Sequence, residues 1–128
     1  MFRLLIFGLF IAVSMEGLAA ASKNPPGSGP VEVIVFINTA RPEQGQLLLQ
    51  LSEQLYFSQQ LREKLTVTII DINQKGVVYR GPANYLKDST GTWVAKYRPD
   101  KIPALYCLRK GKASNKEMLN AQEIRVCL

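Results

Sequence analysis

The sequence predicts an α/β domain of three layers, a small mixed sheet between helices, with one strand opened by a proline. Three observations carry this. VEVIVFI (31–37) and LTVTIIDIN (65–73) are nearly continuous β-branched runs, the mark of strands buried on both faces. Between them the apolar spacing turns helical. KIPALYC (101–107) then sets Ile-Pro-Ala ahead of an apolar run, although proline cannot donate to a sheet ladder and is kept to edges, bulges and first positions.

The N-terminus is set aside first. MFRLLIFGLFIAVSMEGLAAAS has Arg3 as a short basic region, an unbroken apolar stretch Leu4–Val13, and Ala19, Ala20 and Ala21. It reads as a secretory signal peptide over residues 1–21, cleaved after Ala21 or slightly earlier. An uncleaved anchor is the alternative, but the run falls short of the roughly 20 apolar residues that a bilayer span takes. SKNPPGSGP (22–30) is a linker that cannot pack. Residues 31–128 form the domain, and the protein is expected to be exported to the periplasm.

After the first strand, NTARPEQ (38–44) supplies a turn in which Thr39 caps and Pro42 suits the first helical position, with Glu43 beside the positive end of the dipole. Leu47, Leu48, Leu51, Leu55, Leu61 and Leu65 then share one side of a helix running to about Lys64. Leu49 and Tyr56 fall off that side, which marks either a second contact surface or a break near Ser58. The strand 65–73 follows. Gly76, Gly81 and Pro82 punctuate the next stretch, and VVY (77–79) is either a sheet extension or a loop. A helix is expected from about Ala83 to Tyr97, weakened by Gly91. KIPALYCL and RKGK read as a strand and a turn, and the tail from Ala113 to Leu128 as a short helix or a last strand.

The formal charge is +6, and cleavage after Ala21 removes one Arg and one Glu, leaving it unchanged. Between residues 96 and 116, Lys96, Arg98, Lys101, Arg109, Lys110, Lys112 and Lys116 face Asp100 alone. Such a surface suits an anionic membrane or an acidic protein, or is simply a solvated edge. Nucleic acid is disfavoured because no binding motif accompanies the charge. The chain has no histidine, which excludes His-based triads and His metal sites. Cys107 and Cys127 are too few for a structural zinc, and no CxxC occurs. In an oxidising compartment the two are expected to pair. The competing reading keeps Cys107 as a buried thiol and joins Cys127 to a partner protein.

A β-α-β unit, a helix, and a strand opened by Ile-Pro make up the layout of a thioredoxin-like domain, in which that proline follows a cis peptide bond. Enzymes of that fold use a nucleophilic cysteine at the N-terminus of the first helix, where the dipole lowers its pKa. Here that turn offers Thr39, Ala40 and Arg41. Three segments, IVFINTARP (34–42), YRGPANYLKDST (79–90) and KIPALYCLRKGK (101–112), resemble the TrbC family of periplasmic pilus-assembly proteins of F-type conjugative systems, with Arg80, Gly81, Asn84, Leu86, Lys87, Ile102, Pro103, Ala104 and Cys107 matching its pattern. The resemblance implies a thioredoxin-like domain without a redox CxxC. It further implies a non-enzymatic assembly factor of a conjugative transfer or type IV secretion apparatus, with no catalytic residue, cofactor or metal. Partner binding is then expected at the proline edge, through Thr39, Arg41, Pro42, Arg80, Ile102, Pro103, Arg109 and Lys110. The partners would be other envelope components, with no small-molecule substrate and with membrane-surface association in reach. The alternative is a periplasmic thiol–disulfide protein that uses Cys107 and Cys127.

Overall fold

The computed structural model describes residues 29–128, so the expected signal peptide and residues 22–28 of the linker lie outside the described residues. Strand β1 (Val31–Ile37) leads into helix α1 (Pro42–Phe57), a short helix α2 (Gln59–Lys64) and β2 (Leu65–Asp71). Then come β3 (Asn84–Lys87), α3 (Thr92–Tyr97), β4 (Ala104–Arg109), β5 (Lys112–Glu117) and a C-terminal 3-10 helix (Ala121–Cys127). The strands form one mixed sheet in the order β3-β2-β1-β4-β5. β1 and β3 flank β2 in parallel, while β4 runs antiparallel to both β1 and β5.

One face of the sheet carries the larger core. Val33, Val35 and Ile37 of β1, with Val67 and Ile69 of β2, pack under Leu47, Leu48, Leu51 and Leu55 of α1 and Leu61 of α2. Met118, Ala121, Ile124 and Cys127 of the C-terminal segment complete that layer. The alternate residues Ile34, Phe36, Ile70, Ala104 and Tyr106 point to the other face. There the short α3 covers them with Trp93, Val94 and Tyr97, and Phe36, Tyr97 and Tyr106 meet edge to face.

The helical stretch after Pro42 breaks at Ser58, one of the two readings of the off-side Leu49 and Tyr56. Ser58 is extended, its N–H donates to Gln54 O at 3.1 Å to end α1, and its Oγ accepts from Leu61 N at 3.2 Å to start α2. Leu49 and Tyr56 remain exposed. The strand read as 65–73 ends at Asp71, and VVY lies in a loop with Val77 and Val78 exposed.

The helix expected over 83–97 is corrected. Residues 84–87 extend the sheet beside β2, and only 92–97 are helical. Asp88, itself buried, accepts from Trp93 N at 3.2 Å and Val94 N at 3.0 Å, so the carboxylate starts the helix from outside it. Gly91 supplies the left-handed φ of +74° just before it. The weakening glycine is thus the helix boundary. The tail holds both elements weighed for it, a strand and a short helix, and Lys110 and Gly111, each at positive φ, close the β4–β5 hairpin.

Leu61 is fully buried, whereas Leu49 is about half exposed. Leu61→Ala is expected to lower stability by about 2–5 kcal/mol, and Leu49→Ala to stay within about 0.5 kcal/mol. Urea unfolding of the two variants checks this, and equal losses would contradict the placement of the core.

Candidate functional site

At the end where the parallel strands finish, the turn before α1 faces the proline that opens β4. Asn38 folds the turn on itself: its carbonyl accepts from Arg41 N and its Oδ1 from Ala40 N, each at 3.0 Å. Pro42 follows at the start of α1, where a missing N–H costs nothing. Across from it the Ile102–Pro103 peptide is cis, as expected, and Pro103 O accepts from Met118 N at 2.9 Å.

Gln44 ties the two sides together. It is 5% exposed, accepts from Asn38 N at 2.7 Å, and donates from Nε2 to Ile102 O at 3.3 Å. Between the walls lies a cleft of about 660 Å³, with Leu47, Ile102, Met118 and Leu119 as apolar lining. Its rims carry two loose ion pairs, Arg41–Glu43 and Lys101–Glu117, both at 3.9 Å.

Beneath the turn sits Asp71, wholly buried at the end of β2. Its Oδ1 accepts from Thr39 N at 3.1 Å and Asn73 N at 3.0 Å. Its Oδ2 accepts from Thr39 Oγ1 at 2.6 Å and Tyr85 OH at 2.5 Å, with Lys87 Nζ 3.6 Å away. Burial pushes the Asp71 carboxyl up, but the donors from Thr39, Tyr85 and Asn73 together outweigh it and hold the pKa below its ordinary value of 3.8. Burial, and then the bond to that carboxylate, push the Tyr85 phenol far up. Thr39 Oγ1 also accepts from Asn73 Nδ2 at 3.1 Å. The hydroxyl is fully engaged, and the turn presents no thiol.

The cysteines lie elsewhere. Cys107 and Cys127 are joined, with Cα atoms 5.3 Å apart, and the pair is almost completely buried on the α1 face of the sheet. Arg109, two residues along β4 on the same face as Cys107, donates to Val126 O at 3.2 Å.

Of the residues read from the sequence as a binding edge, Thr39, Arg41, Pro42, Ile102 and Pro103 meet at this end of the domain. Arg80 is in a loop held to α1 by a 2.6 Å bond from Tyr79 OH to Ser52 Oγ. A side chain on the adjacent Gly81 would overlap that hydroxyl. Arg109 and Lys110 sit at the far end of β4. The sequence reading passed over Gln44, Asp71 and Tyr85, and named Lys87 only as a match to the family pattern. Only Asp71 left a signal, as a single charge inside the apolar run TIIDIN.

No protein-family model matches the sequence, and no curated protein does. Solved structures do. StoA from Bacillus subtilis aligns with a TM-score of 0.56 at 16% identity, over 80% of this chain and 84% of that one. The exposed lipoprotein thioredoxin of Streptococcus pneumoniae gives 0.59 at 14%, over 78% and 83%. A secreted Mycobacterium tuberculosis disulfide oxidoreductase homologous to E. coli DsbE gives 0.55 at 14%, over 79% and 81%. The domain has a thioredoxin-like fold.

These matches correct the functional expectation. They include a thioredoxin and a disulfide oxidoreductase. None supports the TrbC resemblance, with its conjugation, type IV secretion and pilus-assembly reading. Together with the Cys107–Cys127 bridge they also overturn the reading of a non-enzymatic assembly factor. The non-enzymatic reading rests on that resemblance and on a turn before α1 that holds no cysteine, whereas the two cysteines of the chain are joined elsewhere.

Because Asp71 is held below 3.8, the unfolded chain takes up this proton before the folded one. The stability it contributes is complete above about pH 4 and is lost as pH falls through the folded value. Asp71→Asn is expected to cost about 1–3 kcal/mol at neutral pH and to flatten the acid limb of a stability–pH profile. An unchanged acid limb would place the titrating group elsewhere.

Proposed function

We propose that the chain is an exported thiol–disulfide oxidoreductase of the periplasm whose redox pair is Cys107–Cys127. The observation that supports this most directly is where the disulfide lies. It joins the strand opened by Pro103 to the last turn of the chain, so the thioredoxin-like scaffold keeps a disulfide but carries it at a terminal clasp.

The chemistry follows from that position. Neither sulfur is open to attack while the C-terminal 3-10 helix is seated. The helix is held by Ile124 in the core, by the 3.3 Å bond from Arg125 to Gln54, and by Glu123, which accepts from Leu119 N at 2.9 Å and pairs with Lys116 at 3.2 Å. Burial pushes the Glu123 carboxyl up, but the bonds from Leu119 N and Lys116 outweigh it and hold it low. Terminal segments open locally at less than the cost of global unfolding. Once the helix lifts, a partner thiolate attacks Cys127 Sγ, and Cys107 leaves as a thiolate. The partner's second thiol then displaces Cys127. Two electrons and two protons have passed from the partner dithiol to this pair, and the partner holds the disulfide. The reverse sequence, starting from the reduced Cys107 and Cys127, reduces a partner's disulfide. Envelope proteins bearing dithiols or disulfides are the partners, and the cleft beside Pro103 is the surface on which such a chain would rest.

Mixed with a reduced peptide dithiol, the oxidised protein is expected to yield one equivalent of peptide disulfide while two alkylatable thiols appear at 107 and 127. Cys107→Ser/Cys127→Ser should yield none. Glu123→Gln, which loosens the clasp without touching sulfur, should speed reduction by a small dithiol several-fold. Peptide oxidation no faster than with the double-serine protein would sink the proposal, as would reduction that proceeds only at the rate of global unfolding.

A further inference from the structure

The pole opposite the cleft gathers cations with no acidic partner. There β1 begins beside β2, with Val31 opposite Leu65, and Glu32 lies opposite Leu108. α1 ends there at Phe57, and Arg62 donates to the carbonyls of Leu55, at 2.7 Å, and Tyr56. Arg125 reaches Gln54, and Arg109 reaches Val126. Arg62, Lys64, Arg109, Lys110, Lys112 and Arg125 thus share one end of the molecule, and all are exposed. The four ion pairs among the described residues use other cations, those of Arg41, Lys87, Lys101 and Lys116. Glu32, Glu53 and Glu63 are the acidic side chains near this pole, and they leave it a positive surplus.

Apolar side chains project among these charges. Phe57 is 80% exposed and Tyr56 65%, their rings 5.0 Å apart and edge to face, and Val126 is 55% exposed. The chain also enters at this pole, since Gly29 and Pro30 line a notch with Leu108, Arg109 and Lys110. Ahead of that entry the sequence carries the apolar run Leu4–Val13.

We infer that this pole docks on an anionic phospholipid surface. Long cationic side chains there find headgroup phosphates, while protruding aromatic and aliphatic groups enter the acyl boundary. Single-stranded nucleic acid fits less well. It asks for aromatic faces laid along a charged groove, whereas Tyr56 and Phe57 stand edge to face at the protruding end of a helix. Docked in this way, the molecule directs its cleft away from the bilayer.

The test is sedimentation of the full chain with vesicles of phosphatidylcholine alone and with about one-third phosphatidylglycerol. Every arm carries the same N-terminal segment, so differences report the pole. Binding is expected to be stronger with the anionic lipid, and that excess should fall as salt rises from about 0.05 to about 0.5 M. Lys64→Gln/Lys110→Gln/Lys112→Gln should weaken partitioning about 100-fold, roughly fivefold per cation, and Phe57→Ser about tenfold. Lys75→Gln/Lys101→Gln, at the cleft end, should leave it within about twofold. Circular dichroism shows that each variant is folded. Binding indifferent to lipid charge, or a triple variant that partitions like the parent, would overturn the inference. So would retention on single-stranded DNA by a protein that ignores the vesicles.

Discussion

The carboxylate of Asp71 is a charge placed where no water reaches, and the cleft end of the domain is arranged around it. A buried anion is tolerated only when donors replace the water it has lost. Here the donors come from three separate pieces of chain, the turn at Thr39, the loop at Asn73, and β3 through Tyr85 and Lys87. Each piece is weak alone. The turn is four residues long, and β3 is a four-residue edge strand with no fully buried side chain. Fixing all three to one carboxylate sets the start of α1 and the seat of β3 with a single group. Lys87 also donates to the carbonyls of Asn73 and Lys75 at 2.9 Å, so the loop after β2 is bound to the same strand. Gln44 repeats the device without charge, joining Asn38 N to Ile102 O across the cleft.

A second constraint acts at the C-terminus. α1 and α2 leave the β4 side of the larger core to be closed by the segment from Met118 onward, which contributes only a few buried side chains. Such a segment buries too little apolar surface to stay seated by packing alone. A cross-link closing a separation of 20 residues is worth roughly 3 kcal/mol in the chain-entropy model, comparable to burying one or two large side chains. The disulfide therefore acts as the closure of the core. The same fact governs its chemistry, because breaking it releases part of the core and reaching it requires that part to move.

Legibility followed the range of the interactions. β1, the start of α1, β2 and the proline-opened β4 were readable because their composition and their surroundings agree. The break at Ser58 was readable as one of two choices, since a serine three residues before Leu61 serves as a cap only if the chain turns there. Residues 84–87 were misread because they pair with β2, a partner that no local pattern announces. β5 was read only as one option for the tail. Its sequence KASNKE has both faces exposed and so lacks the alternation that marks a strand. At the site, Cys107, Cys127 and the proline edge stood out by residue type. Gln44 and Asp71 gain their meaning from partners 58 and 32 residues away. The functional error had the same root, in that a missing cysteine at one local position was allowed to speak for thiols placed by tertiary structure.

The parallel strands β1, β2 and β3 give the domain two unlike ends. All three finish at the cleft, and there the chain must turn back through loops, which supplies the polar turn, the buried Asp71 and the Ile102–Pro103 peptide. β1 and β2 begin at the other end, where α1 stops, while β3 joins β2 only from Thr68 onward. β4 runs between the ends, and at about 3.4 Å per residue its course from Pro103 to Arg109 separates them by roughly 20 Å. Cys107 lies on this strand beyond the cleft and near the cationic pole, so its sulfur is out of reach of a chain resting against Pro103 until the terminal helix has moved. In this fold a thiol at the turn before α1 would face the cleft directly. Here the cleft and the sulfur are set apart, and two pieces of chain connect them, the strand from Pro103 to Cys107 and the C-terminal segment from Met118 at the cleft wall to Cys127 at the bridge.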